Sequence, residues 1–349
     1  MPARWIRVDP AAALRDGFER IRREAGVPGA FPAQVEAEAR AAAASVAAAG
    51  ADRVDLPFVT IDPPGARDLD QALHVERRGD GHRVSYAIAD VGAFVAPGGA
   101  LDAEAHARGV TVYAPDGKTP LHPVALSEGA ASLLPGQWRP AVLWTLDLDA
   151  AGELAAVDVR RAHVRSVAQH TYEDVPPEVA GPLREVGERR LALERARGGV
   201  RLAVPEQEVV REGDTWTVRY RVPLATEEHN AQVSLLTGLA AARLMLDAGV
   251  GVLRTQPAAD AKALARLRRQ AAALGVPWRE PYPEFIRSLD PARPEHAALM
   301  QEATGVGRGA GYTAFDGEPP VGAHHFALAA PYAHATAPLR RLQDRHVLA

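Results

Sequence analysis

From residue 54 onward the chain breaks into short runs rich in β-branched and aromatic residues, VDLPFVTID, RVSYAIADV and AVLWTLDLD, each closed off by Gly, Pro or Asp. Such runs between turn formers predict strands of one sheet. Helical patterns surround them. LDAEAHARG reads as a short helix stopped by Gly109, and ATEEHNAQVSLLTGLAAARLML is the longest helical pattern, with Val233, Leu236, Leu239 and Ala240 at helical spacing. The stretch from Pro257 to Leu299 reads as further helices broken at GVPW and EPYP, and residues 305 to 322 as a glycine-rich loop. Residues 1 to 50 are rich in Ala, Arg and Glu, with good helix formers dominating from Gln34 to Ala49. Strands and helices do not alternate as βαβ units and no repeat is visible. The expected class is therefore α+β, or irregular α/β: a mixed, mostly antiparallel sheet surrounded by helices. The expected division is a helical lead-in over residues 1–53 and one domain over 54–349.

A length of 349 residues is ample for a large core. No stretch approaches the roughly 20 apolar residues of a membrane helix, so no membrane role is expected. The N-terminal MPARWIRVDP lacks the apolar segment of a secretory signal, and the absence of cysteine removes disulfides and thiolate metal sites. A cytoplasmic location fits these observations. A net charge of −4 argues against a protein that coats nucleic acid non-specifically. Of 40 basic residues only Lys118 and Lys262 are lysines. Arginine suits bidentate phosphate contacts, although an excess of arginine and alanine is explained better by a GC-rich genome.

The acidic loop TIDPPGARDLDQAL brings Asp62, Asp68 and Asp70 within nine residues. Carboxylates so close repel one another, and a divalent cation relieves the repulsion. Magnesium takes a few carboxylates plus water and phosphate oxygens. A pair of ions about 4 Å apart would activate water and stabilise a leaving oxygen. The plainer reading is that aspartates in a Pro-Gly loop form turns and caps. Calcium in an EF-hand is excluded because a required ligand position falls on Ala72. The glycines of GVGRGAG lack the Lys-Ser/Thr of a phosphate loop, His324, His325 and His334 do not have zinc-ligand spacing, and no Ser-His-Asp arrangement is legible.

The acidic loop resembles the signature of the ribonuclease II (RNB) family, and the likeness continues in order through YAIADVGAFVAPGGALDAEAHARGVTVYAPDGKTPLHPVALSEGAASLLPGQWRPA and HFALAAPYAHATAPLRRLQD. The last block has Thr336, Pro338, Arg340, Arg341 and Asp344 in matching places. Together the blocks cover roughly residues 54 to 346. The resemblance implies magnesium-dependent hydrolysis of single-stranded RNA from its 3′ end, releasing 5′ mononucleotides. It makes Asp62, Asp68 and Asp70 the metal and catalytic carboxylates, with Asp70 nearest the reacting phosphate. The family has a fourth acid where this chain has Gln71, which offers magnesium a carbonyl oxygen but no charge. Tyr113 and Tyr172 fall where the family orients or stacks the terminal nucleotides, and Leu202 stands near the place of a family aromatic clamp. Glu228, or its neighbour Glu227, would help hold the 3′ nucleotide, although acids in a first helical turn also serve the macrodipole alone. Arg340, and secondarily Arg341, would grip the scissile or an adjacent phosphate. The OB-type modules that flank the family's catalytic domain are not seen, and because the chain stops a few residues after the arginine motif, where the family's catalytic domains continue, a catalytic domain cut short at its C-terminus is expected. Two other readings stay open: an RNA-binding protein of the same fold with weak or absent catalysis, and a DNA-directed exonuclease. No obligate protein partner is evident.

Overall fold

The computed structural model describes residues 11–46, 52–202, 204, 206–212 and 215–349. The lead-in contains α1 (Ala11–Glu24) and α2 (Ala33–Val46). The sequence-predicted helix to Ala49 lies outside the described residues beyond Val46, as does MPARWIRVDP. There follow β1 (Arg53–Ile61), β2 (Gln71–Arg78), β3 (Gly81–Ala89), α3 (Ala100–Arg108), β4 (Val112–Ala114), β5 (Gly117–Thr119), β6 (Trp138–Leu148), β7 (Leu154–His170) and α4 (Pro177–Ala196). The remainder contains β8 (Glu206–Glu212), β9 (Thr215–Arg221), α5 (Ala225–Ala248), β10 (Val250–Thr255), α6 (Ala261–Ala273), α7 (Tyr282–Ser288), α8 (Pro294–Ala303), β11 (Gly311–Asp316), β12 (His324–His325), β13 (Ala330–Pro331) and α9 (Leu342–Val347).

The class is α+β and the pairing is mixed and mostly antiparallel, but the expected sheet needs one correction: it closes into a five-stranded barrel in the order β1-β2-β3-β6-β7. The reason is the length of β7, 17 residues, a strand that the sequence runs did not single out. Its N-terminal part pairs with β6 as far as Trp138 opposite Arg165, and its C-terminal part pairs in parallel with β1, ending at Ile61 opposite His170. Register shifts in β1 between Val54 and Val59 let the seam bend. Gly81 is needed at the β2–β3 turn, since a Cβ there would lie 1.9 Å from the Leu148 carbonyl oxygen. A second correction concerns residues 305 to 322. Within the predicted loop, Gly311–Asp316 forms β11, whose alternating exposure suits pairing with β10 from Val250–Asp316 to Thr255–Gly311.

Alternation along the barrel strands divides the core. Val59, Ile61, Leu73, Val84, Tyr86, Ile88, Val142, Trp144 and Leu146 pack with Leu183 and Val186 of α4 and with Val233, Leu236 and Ala240 of α5. The alternate set, mostly smaller, joins Ala72, Ala87, Ala89, Ala141, Leu143, Ala162 and Val164 to Val35 and Ala39 of α2. A separate cluster ties α6, α7 and α8 together through Leu267, Phe285, Ile286, Leu299 and Met300. Tyr332 and Ala333 lie so close to α5 that a Cβ on Gly238 would fall 2.5 Å from the Ala333 carbonyl oxygen, and the Ala333 N–H donates to the Gly238 carbonyl at 3.1 Å. Glycine in mid-helix, normally a cost, here seats the segment that leads to the two arginines. Among the described residues no helix is long and apolar enough to cross a membrane.

Candidate active site

Because β1 and β7 run parallel and β2 starts beside the end of β1, one end of the barrel collects Asp62 after β1, Asp70 before β2 and Tyr172 after β7. The segment of residues 332–341 is brought to the same end. The Leu339 N–H donates to Asp70 Oδ1 at 2.7 Å, and the Arg340 carbonyl accepts from the Thr111 N–H at 2.9 Å. Asp344, fully buried, fixes that segment: it accepts from the Ala337 N–H at 2.7 Å and from Arg341 Nε and Nη2, each at 2.8 Å. A cleft of about 610 Å³ opens here, lined among others by Gln71, Tyr172, Glu228, Asn230, Arg340 and Arg341.

Two carboxylates at this end lack enough positive charge. Burial, only partly offset by the Leu339 N–H and Arg340, pushes Asp70 well above the usual carboxylate range. Arg340 Nε lies 3.8 Å from Asp70 Oδ2 and its side chain is 46% exposed, which leaves its fork free to meet another anion. Burial first and the neighbouring Asp68 second raise Asp62 to about 7. Asp62 Oδ2 is buried without a hydrogen-bond partner. An orphaned carboxylate oxygen of this kind is costly unless a proton or cation joins it.

Asp68 sits differently. Its Oδ1 is 2.8 Å from Lys118 Nζ, which also lies 2.9 Å from Glu128 Oε1. Gln71 donates its side-chain N–H to the Thr336 carbonyl, so the amide's oxygen is the atom left for a cation. Among the described residues no three His, Asp or Glu side chains form a ready-made metal cage. The donors nevertheless fit a hard divalent ion, since magnesium needs only one or two carboxylates when phosphate and water complete its shell. Asp62, through its unpartnered oxygen, and Asp70 are the residues that would hold it, with the Gln71 carbonyl as a neutral third donor.

The other expected residues are distributed around this centre. Tyr113, on β4, is 59% exposed and close enough to Asp68, Arg340 and Asp70 for their charges to act on its hydroxyl, which burial raises first. Tyr172 is half-buried on the cleft wall, its hydroxyl held up by burial and then by Asp62. The two helix-start acids separate. Glu227 accepts from the Leu224 N–H at 3.0 Å and from Arg221, so it caps α5, whereas Glu228 stays 43% exposed on the cleft, 3.8 Å from Arg201. Arg341 is engaged by Asp344 and half-buried, leaving Arg340 the more available of the pair. Leu202 lines the cleft. His334 Nδ1 is hydrogen-bonded to the Tyr312 hydroxyl at 2.7 Å. Lys118, Glu128, Asn230 and Arg201 were not singled out for the site from sequence. Only Lys118 gave a signal, as one of two lysines in an arginine-rich chain.

The profile of the RNB domain matches residues 51–348. Ribonuclease R of Escherichia coli is 30% identical over 321 residues, covering 84% of this chain and 39% of its own length. The chain thus spans about two fifths of that relative. Among solved structures, Mycoplasma genitalium RNase R in complex with ribose-methylated single-stranded RNA superposes with a TM-score of 0.84 at 20% identity, over 95% of this chain and 56% of that one. Yeast Ssd1, described as a pseudonuclease, gives a TM-score of 0.69 at 18% identity over 85% and 39% of the two chains. These two likenesses concern the fold.

Proposed function

The chain belongs to the RNB domain family, and from that premise we propose that it is an exoribonuclease, hydrolysing single-stranded RNA from the 3′ end and releasing 5′ mononucleotides with magnesium as cofactor. The observation that carries the reading is that two under-compensated buried carboxylates, Asp62 and Asp70, each feel the charge of Arg340, whose half-exposed side chain lines the cleft. A bound magnesium would supply a water of lowered pKa and neutralise charge on the phosphoryl group. The chain's own residues supply the rest. Arg340 offers a planar fork to a phosphate oxygen and shields it from the carboxylates. Asp70, fixed by the Leu339 N–H, holds the side of the centre nearest that arginine. Tyr113 and Tyr172 present ring faces to the terminal bases, a contact tolerant of sequence. Glu228 accepts hydrogen bonds from the terminal sugar, where a 2′-hydroxyl distinguishes RNA from DNA. The expected Asp68 and Arg341 contributions are indirect in this reading, through charge and through the shape of the arginine segment.

Incubating the purified chain with 5′-labelled single-stranded RNA, with magnesium or with chelator, tests it. A magnesium-dependent ladder shrinking from the 3′ end is expected. One observation favours a second reading, an RNA-binding protein with weak or absent catalysis: the position after Asp70 is an amide committed to the Thr336 carbonyl rather than an acid. RNA that is bound yet intact under both conditions would select it.

A further inference from the structure

Lys118 stands between two carboxylates at this end of the barrel. The β4–β5 hairpin carries it there, placing Lys118 directly opposite Tyr113, so that both side chains leave one face of the ribbon. Its ammonium touches two carboxylates at once, Asp68 at 2.8 Å and Glu128 at 2.9 Å. All three side chains are largely withdrawn from water, with 28%, 17% and 21% of their surfaces exposed. An exposed lysine pair would contribute little. One cation shared between two partly buried carboxylates performs the neutralisation that a metal ion would otherwise perform.

We propose that Lys118 is a resident cation in the place of a second divalent ion, leaving the site to hold a single ion at Asp62 and Asp70. The inference rests on the hydrolytic reading above and specifies its metal requirement. Asp62, Asp68, Asp70 and Glu128 are opposed by Lys118 and Arg340, and the double negative charge that remains is what one magnesium ion neutralises. Gln71 adds a donor oxygen without adding charge. A second ion would have to displace the ammonium from both carboxylates, or bind with no charge left to balance it. With its Oδ1 engaged by the ammonium, Asp68 acts through electrostatics and does not ligate.

Counting bound Mn²⁺ by electron paramagnetic resonance of the free ion, on the full chain, tests this without turnover. Wild type and Lys118→Arg are expected to bind one ion in the tight class, and Lys118→Met two, because Asp68 and Glu128 are then unmasked. Lys118→Gln is the second variant should Lys118→Met fail to fold. Two ions on the wild type, or one on a folded neutral variant, would overturn the proposal. A lysine that merely braces the hairpin would leave the count unchanged. One ion on wild type and two on the neutral variant, with no RNA cleavage by wild type, would uphold the proposal and remove the nuclease reading. Cleavage by a wild type that binds two ions would do the reverse.

Discussion

Asp70 is held on one oxygen by the Leu339 N–H and faces Arg340 with the other. An amide at this position keeps an acceptor for Leu339 while removing the negative charge. Asp70→Asn is therefore expected to lower the cleavage rate by roughly a thousandfold, the scale of losing one preorganised electrostatic group, while RNA affinity stays within about threefold, a change of under 1 kcal/mol. Single-turnover rates and filter binding on the same RNA check both parts. The adjacent acids of α5 make a second residue-level contrast. Glu227→Ala removes a helix cap and is expected to cost about 1 kcal/mol of stability, whereas Glu228→Ala should weaken RNA retention without shifting Tm. Thermal melts and dissociation rates separate the two, and the reverse pattern would reassign them. The paired acids could not be told apart in sequence, because first-turn position suits both. What separates them is the cap to Leu224 and the contact with Arg221, a residue of the preceding hairpin. Likewise, the spacing of Asp62, Asp68 and Asp70 is legible in one segment, but the turning of Asp68 toward Lys118, 50 residues away in sequence, is a tertiary fact.

At the scale of elements, α5 and the segment after β13 decide where Arg340 lies. Gly238→Ala brings two opposed effects. Alanine gains about 1 kcal/mol of helix propensity. Its Cβ, however, would meet the Tyr332 ring at 2.1 Å and the Ala333 carbonyl oxygen at 2.5 Å, and overpacking of this kind costs about 1 to 3 kcal/mol. The clash wins, since one of the atoms it meets is backbone. The variant should melt lower and cleave more slowly because residues 332–341 are displaced; a raised Tm with unchanged turnover would show that the glycine does not seat this segment. The strands VDLPFVTID, RVSYAIADV and AVLWTLDLD were readable because each joins β-branched or aromatic side chains to a clear stop. β7 was not, for its 17 residues include three arginines and two histidines, and only its position between β6 and β1 makes it a strand. β11 was hidden by its glycine-rich surroundings and is stabilised by pairing with β10, a non-local partner.

For the whole molecule, pH couples to stability through His122. This side chain is completely buried, and burial, helped by the charge of Arg345, lowers it from 6.5 to about 3. Between those values the unfolded chain binds a proton that the folded chain does not. The stability difference is thus absent above about pH 6.5 and grows as a loss while pH falls toward 3. It amounts to at most about 5 kcal/mol. His122→Leu should flatten the dependence between pH 6.5 and 4.5 in urea melts; an equal slope in both proteins would mean that His122 is protonated when folded. The barrel and the cleft require long-range closure, so α+β class and strand content could be read locally but closure could not.

This cleft is proposed to remove nucleotides from a free 3′ end. RNA labelled on its 3′-terminal nucleotide, incubated with magnesium and sampled at the earliest times, tests it most directly. All early label is expected as a 5′ mononucleotide, chelator is expected to prevent its release, and Asp70→Asn is expected to release almost none. Early label in longer fragments, or label that stays on full-length RNA bound by folded wild-type protein, would contradict it.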